Sequence, residues 1–305
     1  MTSPDRSGVS HGHFCYPPVG GPRRQRVNKG ARTHMNAVRS RMPCVTLPRS
    51  GMVVPRIGVG LAHLHLMPSH ARTALIDTAI DLGMTHFDTS RFYSDGLSEE
   101  VLGRVLGTRR NRVTITTKFG LLPTPLIGRM GPLAPFGRKL RSAATRLKLT
   151  RYPRQRYTPD TLQRSIAASL KALRTDYVDV LAIHEPAGAA SLNNEMIEAL
   201  VAVRASGMAR LIGVAGDTID DVVARWGDVL DVVQTAESRW EETRFVPDFT
   251  YSLFSSQRAH SAAPLSQDGI NARLTGALER RPNGAVIVQT RNPDRLSGYA
   301  RLVTP

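Results

Sequence analysis

The sequence predicts an α/β protein built as a parallel (β/α)8 barrel, a TIM barrel, preceded by a disordered N-terminal tail. Three observations point there. From residue 44 onward, eight short apolar runs alternate with helical patterns, as strands joined by crossover helices do. Most of those runs are apolar on both faces, which parallel strands covered on each side require. No G-x-G-x-x-G follows the first strand, which weighs against the rival doubly wound open sheet, and no linker divides the chain into two domains.

The elements follow in order. "CVTLPRSGMVV" reads as a hairpin turning at Arg49-Ser50-Gly51. "RIGVGLA" is the first buried strand, followed by a helix from about Ser69 to Leu82 that stops at Gly83. "THFDTS" is the second strand; the helix after it is expected to be capped by Ser98, with Glu99 and Glu100 in its first turn. "RVTITTKFG" is the third, rich in β-branched residues. A basic insertion then runs over about 119–157 before Thr158-Pro159-Asp160 opens a strong helix. "DYVDVLAIHEP" is the fourth strand, with a helix near Asn193–Ala205 closed by Gly207. "ARLIGVAGD" and "DVVQTAES" are the fifth and sixth, separated by a helix from about Ile219 to Trp226. "DFTYSLFS" is the seventh, too close to the sixth for a full helix between them. A helix from about Ile270 to Arg280 leads to the eighth, "GAVIVQTRN".

Charge and composition narrow the function classes. The 305 residues carry 41 Lys+Arg against 25 Asp+Glu, a formal net charge of +16 that invites a nucleic-acid or anionic-membrane reading. Much of the excess sits in two peripheral places: the tail, with Arg23, Arg24, Arg26, Lys29, Arg32, Arg39 and Arg41, and the stretch from Arg129 to Arg156. Residues 1–43 are rich in Gly, Pro, Arg and Ser without a period, and read as a disordered basic tail. The tail's His11 and His13 are better read as solvated than as metal ligands, and no metal site is expected. With two cysteines, Cys15 and Cys44, neither a disulfide framework nor Cys-based zinc spacing is available. No apolar run approaches the roughly 18 residues that cross a bilayer, so a soluble cytoplasmic protein is expected.

In a barrel of this kind, function gathers where strands end and the following loops begin. Those positions hold Asp88 and Tyr93 after strand two, Lys118 at the end of strand three, and His184 at the end of strand four. Singly each has a bland reading: a turn cap, a loop aromatic, a strand-end charge, a core histidine bonded to backbone. Jointly they are harder to dismiss. An ammonium and a carboxylate drawn into one low-dielectric mouth offset each other's desolvation. A phenol beside that ammonium should have its pKa lowered toward neutrality, making it a usable proton donor, while the imidazole orients a carbonyl oxygen. Such a site protonates an oxygen while something else delivers a hydride.

"FDTSRFYSDGLSEEVLGRVL", "TTKFG", "SLKALRTDYVDVLAIHEP" and "GMARLIGVAGD" resemble the aldo-keto reductase family in order and spacing, over a match running from about Cys44 to the end. The resemblance implies an NADP-linked oxidoreductase that reduces aldehydes or ketones, or oxidises the corresponding alcohol or sugar. It implies NADPH as cofactor, with NAD possible, and an Asp-Tyr-Lys-His tetrad falling on Asp88, Tyr93, Lys118 and His184. It also implies cofactor contacts. Ala215-Gly216 stand where the family has a Ser-Asn pair on the nicotinamide carboxamide, leaving Asp217 or backbone to substitute, and Gln234 matches the remaining contact. Tyr251 is the candidate to stack on nicotinamide. Near strand eight Gln289 occupies a lysine position, with Thr290, Arg291, Arg295 and the helix start after Asn292 available to an adenosine 2′-phosphate. Pocket walls are expected from "LAHLHLMPSH" and the basic insertion, where Leu140, Leu147 and Leu149 fit a short amphipathic helix.

Two other functions compete. A nucleotide-binding regulatory barrel with little turnover fits the missing Ser-Asn pair and the basic insertion. A nucleic-acid or other polyanion binder fits the net charge, but nothing resembles a recognition helix or a stacking platform, so the expected partner is a small carbonyl compound.

Overall fold

The computed structural model describes residues 42–123, 154–254 and 266–303, together with the single positions 136, 137, 140 and 147. The N-terminal tail to residue 41, most of the basic insertion and the segment 255–265 lie outside the described residues. The amphipathic helix expected around Leu140–Leu149 falls there too, apart from Leu140 and Leu147, both exposed.

A hairpin comes first, β1 (Cys44–Thr46) against β2 (Val53–Pro55). Its turn passes through Gly51 at φ +70°, a left-handed conformation that glycine adopts without strain. Eight parallel strands then close a barrel: β3 (Ile57–Gly60), β4 (His86–Asp88), β5 (Thr114–Phe119), β8 (Val178–His184), β9 (Ala209–Ala215), β10 (Val232–Ala236), β11 (Phe249–Tyr251) and β12 (Ala285–Val288), with β12 pairing back onto β3. Between β5 and β8 a two-stranded ribbon, β6 (Leu121–Leu122) with β7 (Arg154–Gln155), joins the two ends of the insertion. Seven helices lie among the described residues: α1 (Ser69–Asp81), α2 (Leu97–Leu106), α3 (Pro159–Leu173), α4 (Asn194–Ala205), α5 (Asp220–Trp226), α6 (Gln267–Arg280) and α7 (Pro293–Val303).

Several helix starts obey local chemistry. Thr158 Oγ1 accepts from the Thr161 N–H and Asn193 Oδ1 from the Met196 N–H, each satisfying an orphan donor of the first turn. The helix after strand two departs from expectation. α2 begins at Leu97 with Gly96 at its N-cap, and Ser98 is not a cap; its hydroxyl donates instead to the Leu61 carbonyl at 2.7 Å. Packing against the strand-one loop supplies a nearer acceptor than the helix start does. Between β10 and β11 there is only a short 3-10 turn, Trp240–Glu242, in keeping with the short interval in the sequence. At the tail boundary, Met42 is buried in the core beside Gly83.

Period-two alternation decides what faces the barrel axis. On β4, Phe87 joins the strand–helix core while His86 and Asp88 point the other way; on β5, Ile115 and Phe119 join that core while Thr116 and Lys118 alternate with them. The lower interior is apolar, Val180, Val232, Phe249, Ala285 and Ile287 packing under Leu47 and Val54 of the hairpin. His86 and Thr116 bring polar atoms into it, 3.4 Å apart. His86 stacks on Phe249 at 4.4 Å and bonds Thr114 Oγ1 at 2.9 Å. Burial, and after it the Lys118 charge, push its pKa down to about 3.

The unfolded chain therefore takes up a proton at position 86 below about pH 6.5 that the folded one refuses until about pH 3. Stability from this source is complete above the higher value and drains away as pH falls between the two. His86→Gln is expected to be less stable than wild type at pH 7.5, with that gap narrowing by about 3 kcal/mol at pH 4.5. Urea midpoints at the two pH values check it; a constant gap would mean that His86 does not carry the effect.

Candidate active site

The upper mouth is polar, and its geometry is set by strand ends. Asp88 ends β4 and Lys118 stands one residue before the end of β5, both buried at 2% exposure. Lys118 Nζ donates to Asp88 Oδ1 at 2.5 Å, to the Thr89 carbonyl at 3.1 Å and to Tyr93 Oη at 3.2 Å. All three ammonium hydrogens thus have acceptors, which is what a buried lysine needs. Gln234, on β10, donates its amide to Asp88 Oδ2 at 3.0 Å and fixes the carboxylate from the far side of the barrel.

Tyr93 is held by an unusual piece of backbone. Ser94 and Asp95, both at φ +56°, and Gly96 at φ +94° follow it in left-handed conformation. A side chain on Gly96 would run into the Arg91 guanidinium, which packs there and pairs with buried Glu99 at 3.0 Å. His184, last in β8, packs edge-on to the Tyr93 ring with centroids 5.5 Å apart, and its Nδ1 meets Ser90 Oγ at 3.3 Å. The four strand-end residues singled out in the sequence therefore meet in one place.

Their electrostatics correct one expectation. The sequence suggested that Lys118 would bring the Tyr93 phenol down toward neutrality. Instead burial, then Asp88, then Glu185 hold it well above its ordinary value. The reason is that the ammonium spends its field on Asp88, while burial draws the lysine's own pKa down against that partner. Burial, and after it Lys118, keep the His184 imidazole well below its usual pKa, so the ring is neutral. A protonated phenol resting on a lysine beside a neutral imidazole can hydrogen-bond one substrate oxygen and hand it a proton.

The expected cofactor residues fall into two groups. Thr290, Arg291 and Arg295 line a cavity of about 400 Å³ together with Gly60, Ser252 and Gln289. The strand-one loop forms its other wall through residues such as His63 and Met67. The start of α7 adjoins it, and two arginines with a threonine hydroxyl suit a phosphate-bearing group. The second group surrounds the end of β9. Ala215 and Gly216 offer no side-chain hydrogen bond, and Gln234 has committed its amide N–H to Asp88. Tyr251 Oη donates to Asp217 Oδ1 at 2.6 Å, which ties the stacking candidate to a carboxylate. The first group fits the phosphate end of a dinucleotide; the second lacks the amide donors of a Ser-Asn pair and offers acid groups in their stead.

Glu185 was missed in the sequence, although it follows His184 directly in "AIHEP". Its carboxylate accepts from the Asp217 N–H at 3.2 Å and lies 3.3 Å from Tyr251 Oη, whose proton goes to the nearer Asp217 carboxylate. An acid beside a strand-end histidine was the available signal. Tyr157 was read only as the end of the insertion; its hydroxyl reaches the carbonyls of His184 and Glu185, at 2.7 and 2.6 Å. Among the described residues no group of three or more His, Cys, Asp or Glu could hold a metal ion, and no helix is long and apolar enough to cross a membrane.

The chain is similar to known proteins. The sequence model of the Aldo/keto reductase family matches residues 56–235. A relative in Schizosaccharomyces pombe, aldo-keto reductase yakc [NADP(+)], is 29% identical over 168 residues, covering 53% of this chain and 42% of its own length. D-threo-aldose 1-dehydrogenase from a Pseudomonas species is 28% identical over 195 residues, covering 58% of this chain and 54% of the other. The chain thus spans about half the length of the curated relatives it matches. Among solved structures, the holo form of an aldo-keto reductase from Bacillus halodurans superposes with a TM-score of 0.67 at 17% identity, over 86% of this chain and 91% of that one, a likeness of fold.

Proposed function

Because this chain belongs to the aldo/keto reductase family, we propose that it is an NADPH-dependent oxidoreductase that reduces an aldehyde or ketone, or oxidises the matching alcohol or sugar. One observation carries the reading: a single buried ammonium, Lys118, touches both Asp88 Oδ1 and Tyr93 Oη. When bound, the reduced dinucleotide supplies the hydride that goes to the carbonyl carbon.

The protein's own residues manage the oxygen. His184 has one ring nitrogen on Ser90, which leaves the other to orient the substrate oxygen. Tyr93 gives its proton to that oxygen as negative charge builds there. Lys118 already donates to the phenol oxygen and so stabilises the phenolate left behind. Asp88 keeps Lys118 charged and aimed, and Gln234 keeps Asp88 in place. A phenol held well above its ordinary pKa is a donor throughout the neutral range, which suits reduction; in the oxidative direction it must first lose that proton.

Thr290, Arg291 and Arg295 are assigned to the adenosine 2′-phosphate. NADPH is then expected to bind at least about tenfold more tightly than NADH, as loss of charge-assisted hydrogen bonds to a phosphate implies. Arg295→Ala should cut that preference while leaving NADH affinity within about twofold. Fluorescence titration with both forms checks it; an unchanged preference removes Arg295 from the assignment. The reading as a whole is tested by that titration followed by a screen of aldehydes and ketones for loss of NADPH absorbance. The Ala215-Gly216 pair, without amide or hydroxyl, favours the alternative of a nucleotide-binding regulatory barrel, and binding without turnover across the screen would support it. A cytoplasmic setting is proposed as well, in keeping with a sequence whose apolar runs are all too short to cross a bilayer.

A further inference from the structure

Glu185 is placed with more care than a strand-end loop residue needs. Its backbone is left-handed, at φ +48°, a conformation that a non-glycine residue keeps only when its surroundings impose it. Three contacts do so. Its N–H donates to the Ala215 carbonyl at 2.7 Å, and its own carbonyl accepts from Tyr157 Oη at 2.6 Å and from Gln155 Nε2 at 2.9 Å. The ribbon at the root of the insertion thus clamps the residue, and the side chain turns back over the end of β9.

There it occupies the room that a side chain at position 216 would need. A Cβ on Gly216 would lie 3.1 Å from Glu185 Oε2, 3.3 Å from its Cα and 2.9 Å from Ile219 Cγ2. The missing side chain at Gly216 and the presence of Glu185 are therefore one feature, in which a neutral group on β9 gives way to an acid supplied by β8. Asp217 stands beside it, joined through the Tyr251 hydroxyl. Among the described residues neither carboxylate has an ion-pair partner, and the nearby lysine, Lys118, is paired with Asp88.

We propose that Glu185, backed by Asp217, makes the site discriminate between the two redox states of its cofactor, holding the oxidised, cationic nicotinamide more tightly than the reduced, neutral one. The inference rests on the dinucleotide reading above, with the nicotinamide end at Gln234 and Ala215–Asp217. The two forms differ there by one positive charge, and their phosphates are identical, so the contacts of the basic residues with the phosphates cancel from the ratio of their affinities. A carboxylate facing that charge across a partly exposed mouth gives a ratio of roughly tenfold.

The experiment is calorimetric titration of the intact protein with NADP+ and with NADPH, for wild type and for Glu185→Gln, at low and high salt. Glutamine keeps the length of the side chain and one of its two acceptor oxygens while it removes the charge. Wild type is expected to favour NADP+ about tenfold, less at high salt where the charges are screened, and Glu185→Gln to bring the ratio close to one. The wild-type ratio and its salt dependence need no variant and show whether the site distinguishes the two forms; the variant assigns the effect to Glu185. Equal affinity for the two forms in wild type, or a ratio unchanged in Glu185→Gln, overturns the proposal while leaving the oxidoreductase reading intact. Failure of either form to bind overturns both.

Discussion

Replacing Tyr93 with phenylalanine is expected to lower carbonyl turnover by about a thousandfold, within the range that a positioned acid contributes, and to leave NADPH binding within about twofold. The substitution removes one oxygen and little else. The ring keeps its edge contact with His184, and Lys118 Nζ, 4.7 Å from the ring centroid, retains its cation–π contact. Lys118 also keeps Asp88 and the Thr89 carbonyl as acceptors, so no charge is stranded. Steady-state rates with the best substrate of the screen, set beside a cofactor titration, separate chemistry from binding. Turnover equal to wild type would remove Tyr93 from the role of acid.

Lys118→Met is expected to act on two levels. Turnover should fall at least as far as in Tyr93→Phe, because the phenolate loses the cation that donates to it, Lys118. Stability should fall as well, by about 3–5 kcal/mol, the usual cost of stranding one member of a buried ion pair. Asp88 would remain at 2% exposure with Gln234 as its surviving side-chain donor. The double variant Lys118→Met/Asp88→Asn removes the stranded charge, so it should recover much of the stability and none of the turnover. Urea midpoints and rates on the two variants check both halves. A single variant as stable as wild type would show that the pair is not holding this part of the barrel together, and recovery of turnover in the double variant would remove Lys118 from the chemistry.

Much of this fold is legible in the chain because its signals are local. Thr158 with Pro159 and Asn193 announce helix starts through contacts within one turn. The alternation of Thr116 and Lys118 with Ile115 and Phe119 announces a strand whose two faces meet different surroundings. Ser98 was misread for the same reason: it stands at the right place to cap a helix, and only the strand-one loop, far off in sequence, offers the Leu61 carbonyl that it takes instead. The catalytic candidates are legible because a barrel turns strand ends into neighbours, so that position along each strand predicts convergence.

The sequence by itself determined the order of strands and helices and the presence of an acid, a phenol, an amine and an imidazole at the ends of three successive barrel strands and their loops. Spacing and side-chain period carry that information within a few residues. Only the tertiary structure decided what those groups feel. Tyr93 is held protonated because burial and two carboxylates, one of them just past the end of β8, outweigh an amine already paired. The room beside Gly216 is taken up by Ile219 and Glu185, and Gln234 is tied to Asp88 across the barrel. A pKa or a filled volume is a sum over everything nearby in space, and chain order says nothing of most of those neighbours until the barrel has closed.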